Sequence, residues 1–125
     1  MTTPEVLFRI DMILDRLILG TEGKHLEWEW GTSSIDGRDM ADLSAESTSF
    51  IIRGDGTGGG KPVDFEVYDS GGFPIAQLGT RNTEYPEEIR RKVAKLWDTI
   101  MASRSKRTAR LLDQAIRDID SIPPF

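Results

Sequence analysis

From Val6 onward, apolar side chains fall at Leu7, Ile10, Ile13, Leu14, Leu17 and Ile18. Spacings of three and four put them on one stripe of a helix. Thr3 offers a hydroxyl cap, Pro4 fixes φ where no N–H is needed, and Glu5 lies at the positive end of the dipole, so a helix is predicted over 4–19 with Gly20 as its stop. At His25 the period changes to two. Leu26, Trp28 and Trp30 alternate with His25, Glu27 and Glu29, the pattern of a half-buried strand over 25–30 with its tryptophans inward. Shorter runs predict strands over 40–43, 48–53, 63–68 and 73–78, with Asp69-Ser70-Gly71-Gly72 as a hairpin loop between the last two. The period then returns to 3.6. Ile89, Val93, Leu96, Trp97, Ile100 and Met101 predict a helix over 86–102 with Trp97 as a core anchor. Ser105 is placed to cap a third helix over 106–120, whose core positions are Ala109, Leu112, Ala115, Ile116 and Ile119, and Pro123-Pro124 prevents its continuation.

The element order has no β-α-β alternation, which favours an antiparallel sheet. The expected architecture is α+β: one domain over 1–125, with an N-terminal helix, a four- or five-stranded antiparallel meander, and two C-terminal helices packed on one face of the sheet. The stretch "GTEGKHLEWEW" resembles the helix-to-strand passage of small, mostly uncharacterised bacterial or phage α+β domains. The hairpin "FEVYDSGGFPIAQL" and the helical "KLWDTI" and "RLLDQAIRDI" are similar to their closing part. The resemblance implies this fold and a bacterial or phage origin, and carries over no catalytic residues. The chain departs from that pattern in a longer glycine-rich loop at 54–60.

Composition narrows the chemistry. The 125 residues include 38% hydrophobic and 30% charged residues, no cysteine and one histidine, which excludes disulfides, thiol chemistry and cysteine-based zinc sites and leaves His25 alone for any histidine-based catalysis. No apolar run approaches the ~20 residues of a membrane span, and no basic leader precedes the first helix, so a cytoplasmic protein without a membrane partner is expected. The net charge of −5 is unevenly spread: residues 1–82 carry −7 and residues 83–125 carry +2.

Gly54-Asp55-Gly56-Thr57-Gly58-Gly59 matches G-x-G-x-x-G, but an alternating strand rather than a helix follows it, so no helix N-terminus meets a phosphate and the segment reads as a hairpin loop. His25, Glu27 and Glu29 form a row whose ends are too far apart to share one metal ion without ligands from another strand. Asp64, Glu66 and Asp69 beside Tyr68, with Asp36, Asp39 and Asp42, supply many carboxylates, and nothing in the pattern says which would be desolvated for acid–base work. The strongest electrostatic feature is the segment 90–110, where eight basic residues face only Asp98. Within it Arg91, Lys95, Arg104 and Arg107 are the candidate contacts for nucleic acid or a phosphate-bearing ligand. The long first helix of the pair and the lack of a turn glycine argue against helix-turn-helix.

The N-terminal helix carries a second apolar strip. Phe8, Met12 and Leu19 lie within about 40° of one another, away from the main stripe. Either the helix is wrapped and wholly buried, or the strip is a protein contact. Ile122 and Phe125 form a further candidate docking tail. The expected function is a non-catalytic protein-interaction module, either a homodimer or a regulatory subunit of a larger bacterial or phage assembly, with no cofactor and no metal. Nucleic-acid or phosphate-ligand binding through 90–110 is the alternative, and an enzyme using His25 and Glu27 is the third reading.

Overall fold

The computed structural model describes residues 2–55 and 61–124. The chain is α+β. Helix α1 (Pro4–Glu22) is followed by strands β1 (Glu29–Thr32), β2 (Asp39–Ser44), β3 (Thr48–Gly54), β4 (Asp64–Asp69) and β5 (Pro74–Gly79), and then by helix α2 (Glu87–Asp120). The five strands pair in sequence order, every pair antiparallel.

The start of α1 follows its sequence signals, with the Thr3 hydroxyl accepting from the Val6 N–H and Pro4 in the first turn. Its end does not. Gly20, expected to stop the helix, lies inside it, where the Leu26 side chain packs so closely that a Cβ at Gly20 would fall 2.6 Å from Leu Cδ1. The helix ends at Glu22, and Lys24 takes the left-handed backbone conformation (φ 61°) that turns the chain. Thr21 ties this joint down: its hydroxyl donates to the Leu17 carbonyl and accepts the Trp28 indole N–H at 2.9 Å. Residues 25–28 are therefore not strand, and β1 begins only at Glu29.

Cross-strand register aligns Trp30, Ala41, Ile52, Phe65 and Leu78 across one face of the sheet. These residues join Ile10, Leu14, Leu17 and Ile18 of α1 and Ile89, Val93, Leu96, Trp97 and Ile100 of α2 in one apolar core. Trp97 is buried, and its ring lies 5.3 Å from that of the half-buried Trp30. Lys92 of α2 links the two helices by donating to both Asp11 and Asp15 of α1, contacts that raise the affinity of its ammonium for its proton. At the β4–β5 hairpin the Asp69 carboxylate accepts from the backbone N–H groups of Gly71 and Phe73, and Gly72 adopts the positive φ that glycine accommodates.

The C-terminal part differs most from expectation. A single helix of 34 residues replaces the two expected. Ala102-Ser103-Arg104-Ser105 contains neither glycine nor proline. A serine in mid-helix costs only about 0.5 kcal/mol relative to alanine, less than breaking the ladder to use Ser105 as a cap. The helix is about 51 Å long, and its second half extends beyond the packed core. Ala109, Leu112, Ala115, Ile116 and Ile119, expected in the core, are all exposed.

The approach of α2 to the sheet depends on Gly54. A Cβ there would fall 2.4 Å from Trp97 Cε2, inside a buried indole that has no room to retreat. Gly54→Ala is expected to destabilise the protein by about 2 kcal/mol in urea unfolding. An unchanged midpoint would show that α2 does not seat on the sheet at this position.

Candidate functional site

The sheet face opposite the helices is polar. Arg53, Asp64, Glu66, Tyr68 and Gln77 alternate with core residues along β3, β4 and β5. Glu66 is buried and accepts from the Arg53 guanidinium, the Tyr68 hydroxyl (2.6 Å) and the Gln77 amide (2.9 Å). Arg53 also reaches the Ser33 hydroxyl. Arg38, on the loop before β2, donates to Asp64 and to the Pro62 carbonyl. Of the carboxylates singled out from sequence, Glu66 and Asp64 thus serve as acceptors for arginines, and Asp69 holds a turn. Asp36 is held below the ordinary carboxylate range, chiefly by a hydrogen bond from the Arg38 backbone N–H. The hollow on this face, about 280 Å³, is lined by the hydrogen-bonded Arg53, Asp64, Glu66 and Gln77, along with Asp36 and Asn82.

The row His25, Glu27, Glu29 is dispersed because the strand begins only at Glu29. His25 borders an apolar hollow with Ile13, Arg16, Leu17, Gly20, Leu26 and Phe50, a lining without a carboxylate. Glu27 faces a different cavity. Among the described residues, no three histidine, cysteine or carboxylate side chains gather as a metal would require. The glycine motif at 54–59 lies largely outside the described residues, as does Phe125.

The basic segment is divided by the helix that carries it. Arg90 is spent on the Tyr85 and Thr80 carbonyls, Arg91 pairs with Glu87, and Lys92 bridges to α1. Arg91 and Lys95 stand on one side of α2. Arg104 and Arg107 lie roughly 14–24 Å further along the axis and are turned to another side, so the four candidates do not form one patch. Arg104 stacks its guanidinium 4.3 Å above the Trp30 ring. Arg104 and Arg107 do line one cavity of about 70 Å³, together with Lys24, Leu26, Glu27, Trp28, Ile100, Ser103 and Arg110. Arg110 belongs to the basic segment read from sequence without being one of its four candidates, and Lys24 escaped notice, because neither its spacing nor its neighbours show that the α1–β1 turn faces the end of the packed part of α2.

Among the described residues, exposed apolar side chains include Ile35, Phe73 and Ile75 on the sheet and its turns, and two groups on the helices. On α1, Phe8 and Leu19 are 64% and 66% exposed and Met12 is half-buried, so the second strip lies on the surface rather than being wrapped. The larger surface is on α2. Every residue from Arg104 to Pro124 is exposed. Leu111, Leu112, Ile116, Ile119 and Ile122, each between 56% and 66% exposed, bring five large aliphatic side chains to one side of the projecting segment. Isolated exposed apolar residues are ordinary, but a contiguous stripe of five on an otherwise unpacked helix is the feature expected of a contact surface.

The Arg53–Glu66 pair acts on stability rather than reactivity. Glu66→Leu leaves the Arg53 guanidinium buried without its carboxylate and is expected to cost about 3 kcal/mol in chemical denaturation, while the double variant Arg53→Met/Glu66→Leu recovers most of the loss. Additive losses in the double variant would show that the two side chains do not act as a pair.

No protein-family model, curated protein or solved structure matches this chain.

Proposed function

We propose that this chain is a non-catalytic protein-interaction module that engages its partner through the projecting second half of α2. One observation carries the reading: a helical run of more than four turns, continuous with a helix anchored in the core, displays Leu111, Leu112, Ile116 and Ile119, each more than half exposed among the described residues. Burying a side chain of this kind contributes roughly 1.5–3 kcal/mol, so covering four of them supplies enough free energy to hold a partner after the ordering costs of association. The exposed Phe8 and Leu19 on α1 add a second, smaller apolar surface.

The test is the full-length double variant Leu112→Asp/Ile116→Asp. Neither side chain touches the core, so the unfolding free energy of the monomer is expected to change by less than about 0.5 kcal/mol. Association, read by light scattering and by capture of partners through a photo-crosslinker placed at Ala115, is expected to be lost. Undiminished association in a folded double variant would overturn the reading.

A second reading has its own observation. Lys24, Arg104, Arg107 and Arg110 surround a single cavity against one carboxylate, Glu27, which favours a phosphate group, bound in the bidentate manner of guanidinium forks. Nucleic acid or a small phosphorylated ligand then binds at the base of the projection rather than along residues 90–110. Affinity for a single-stranded oligonucleotide is expected to fall with salt, with a log–log slope of roughly −2, and to vanish in Arg107→Glu/Arg110→Glu. Binding that is insensitive to salt would remove it.

A further inference from the structure

Resting on the interaction-module reading, we infer that the partner of the projecting segment is a second copy of this chain, lying antiparallel to the first along residues 105–122. The seam repeats at alternating spacings of three and four. Ser105, Leu112 and Ile119 occupy one heptad position, and Thr108, Ala115 and Ile122 the other, flanked by Leu111 and Ile116. Ile122 continues the seam past the last helical turn, its N–H still bonded to the Ile119 carbonyl. The first part of this seam is small and polar and the second part is large and aliphatic.

That asymmetry is complementary to itself only in one orientation. With a two-fold axis crossing between Asp113 and Gln114, Leu112 of one copy faces Ala115 of the other, Thr108 faces Ile119 and Ser105 faces Ile122, so each layer pairs a large side chain with a small one. Two aligned parallel copies would instead stack Ser105 on Ser105 and Thr108 on Thr108, leaving gaps that close-packed interfaces do not tolerate. Charge points the same way. Arg104, Lys106, Arg107 and Arg110 make the first part basic, whereas Asp113, Asp118 and Asp120 outnumber Arg117 in the second. Antiparallel pairing brings Lys106 and Arg107 level with Asp118 and Asp120 of the other copy, and parallel pairing would set Arg104, Lys106 and Arg107 beside the same three cations. Arg110 and Arg117 lie on the side of each helix turned away from the seam. A partner of different sequence has no reason to match both patterns, and a two-fold contact satisfies each of them twice.

The chain has no cysteine, which permits a direct test of orientation in the full-length protein. Thr108→Cys and Ile119→Cys are made separately at positions exposed in the monomer, checked for wild-type circular dichroism, mixed, and mildly oxidised. The expected product is the mixed disulfide between the two variants, with little cross-linking of either alone. The wild type is expected to sediment as a dimer in the micromolar range and Leu112→Asp, present twice in the interface, to weaken dimerisation roughly 100-fold. A homodisulfide of Thr108→Cys alone would indicate parallel pairing and overturn the proposal, as would a wild type that remains monomeric throughout. In the monomeric case the photo-crosslinker at Ala115 separates the two levels of inference. Capture of a different chain removes the second copy and leaves the interaction module standing, and capture of nothing removes both.

Discussion

Helix α2 points Ile89, Val93, Leu96, Trp97 and Ile100 into the core. At about 100° per residue, the same face one turn later carries Arg104, Arg107 and Arg110, while the aliphatic stripe from Leu112 to Ile119 has moved round by roughly 110°. The helix cannot continue to pack on its own body, because the side that would meet it has become cationic. The apolar side that replaces it is turned about a third of the way round the helix from the core face. The projection, the basic cavity at its base and the uncovered stripe all follow from this change of face.

The same change explains what could be read from sequence. Periodicity identifies the element types along most of the chain, since alternation in Phe65 and Val67 and three-four spacing in α1 each answer to burial on one side. What periodicity does not encode is whether a stripe meets anything. Leu112, Ile116 and Ile119 have the spacing of a core face, and only the length of an unbroken helix, set by the absence of glycine and proline between Ala102 and Ser105, carries them out of reach of the sheet. Gly20 is a related case. The residue that most resembles a helix stop is needed inside the helix for the close approach of Leu26, a contact six residues away that no local signal records. Glu66 looked like one more surface carboxylate because its partner Arg53 lies on a neighbouring strand, and which residues face each other across strands depends on register.

The two faces of the sheet are stabilised by different means. On the helix side, aromatic and aliphatic side chains exclude water. On the other, Arg53, Glu66, Tyr68 and Gln77 saturate one another, and Arg38 and Asp64 extend the row towards the turn before β2. Groups paired in this way need no second layer of helix, and with most of their donors and acceptors engaged they offer little to a ligand. The largest group of exposed apolar side chains among the described residues lies on α2 rather than on the sheet.

A helix of about sixteen residues is marginal in water by itself, because nucleating its first turn is unfavourable. Here nucleation is already accomplished by the packed half of α2, where Lys92 is bound to Asp11 and Asp15 and Trp97 lies under Gly54. The projecting half needs only to propagate. A surface presented in this way reaches its partner largely ordered, so the ordering cost that weakens association by unstructured segments is reduced. On the proposed reading the core contributes to binding without touching the partner: loosening the seat of Trp97 against the sheet would fray the projecting stripe and weaken association at a site more than 20 Å away along the helix axis.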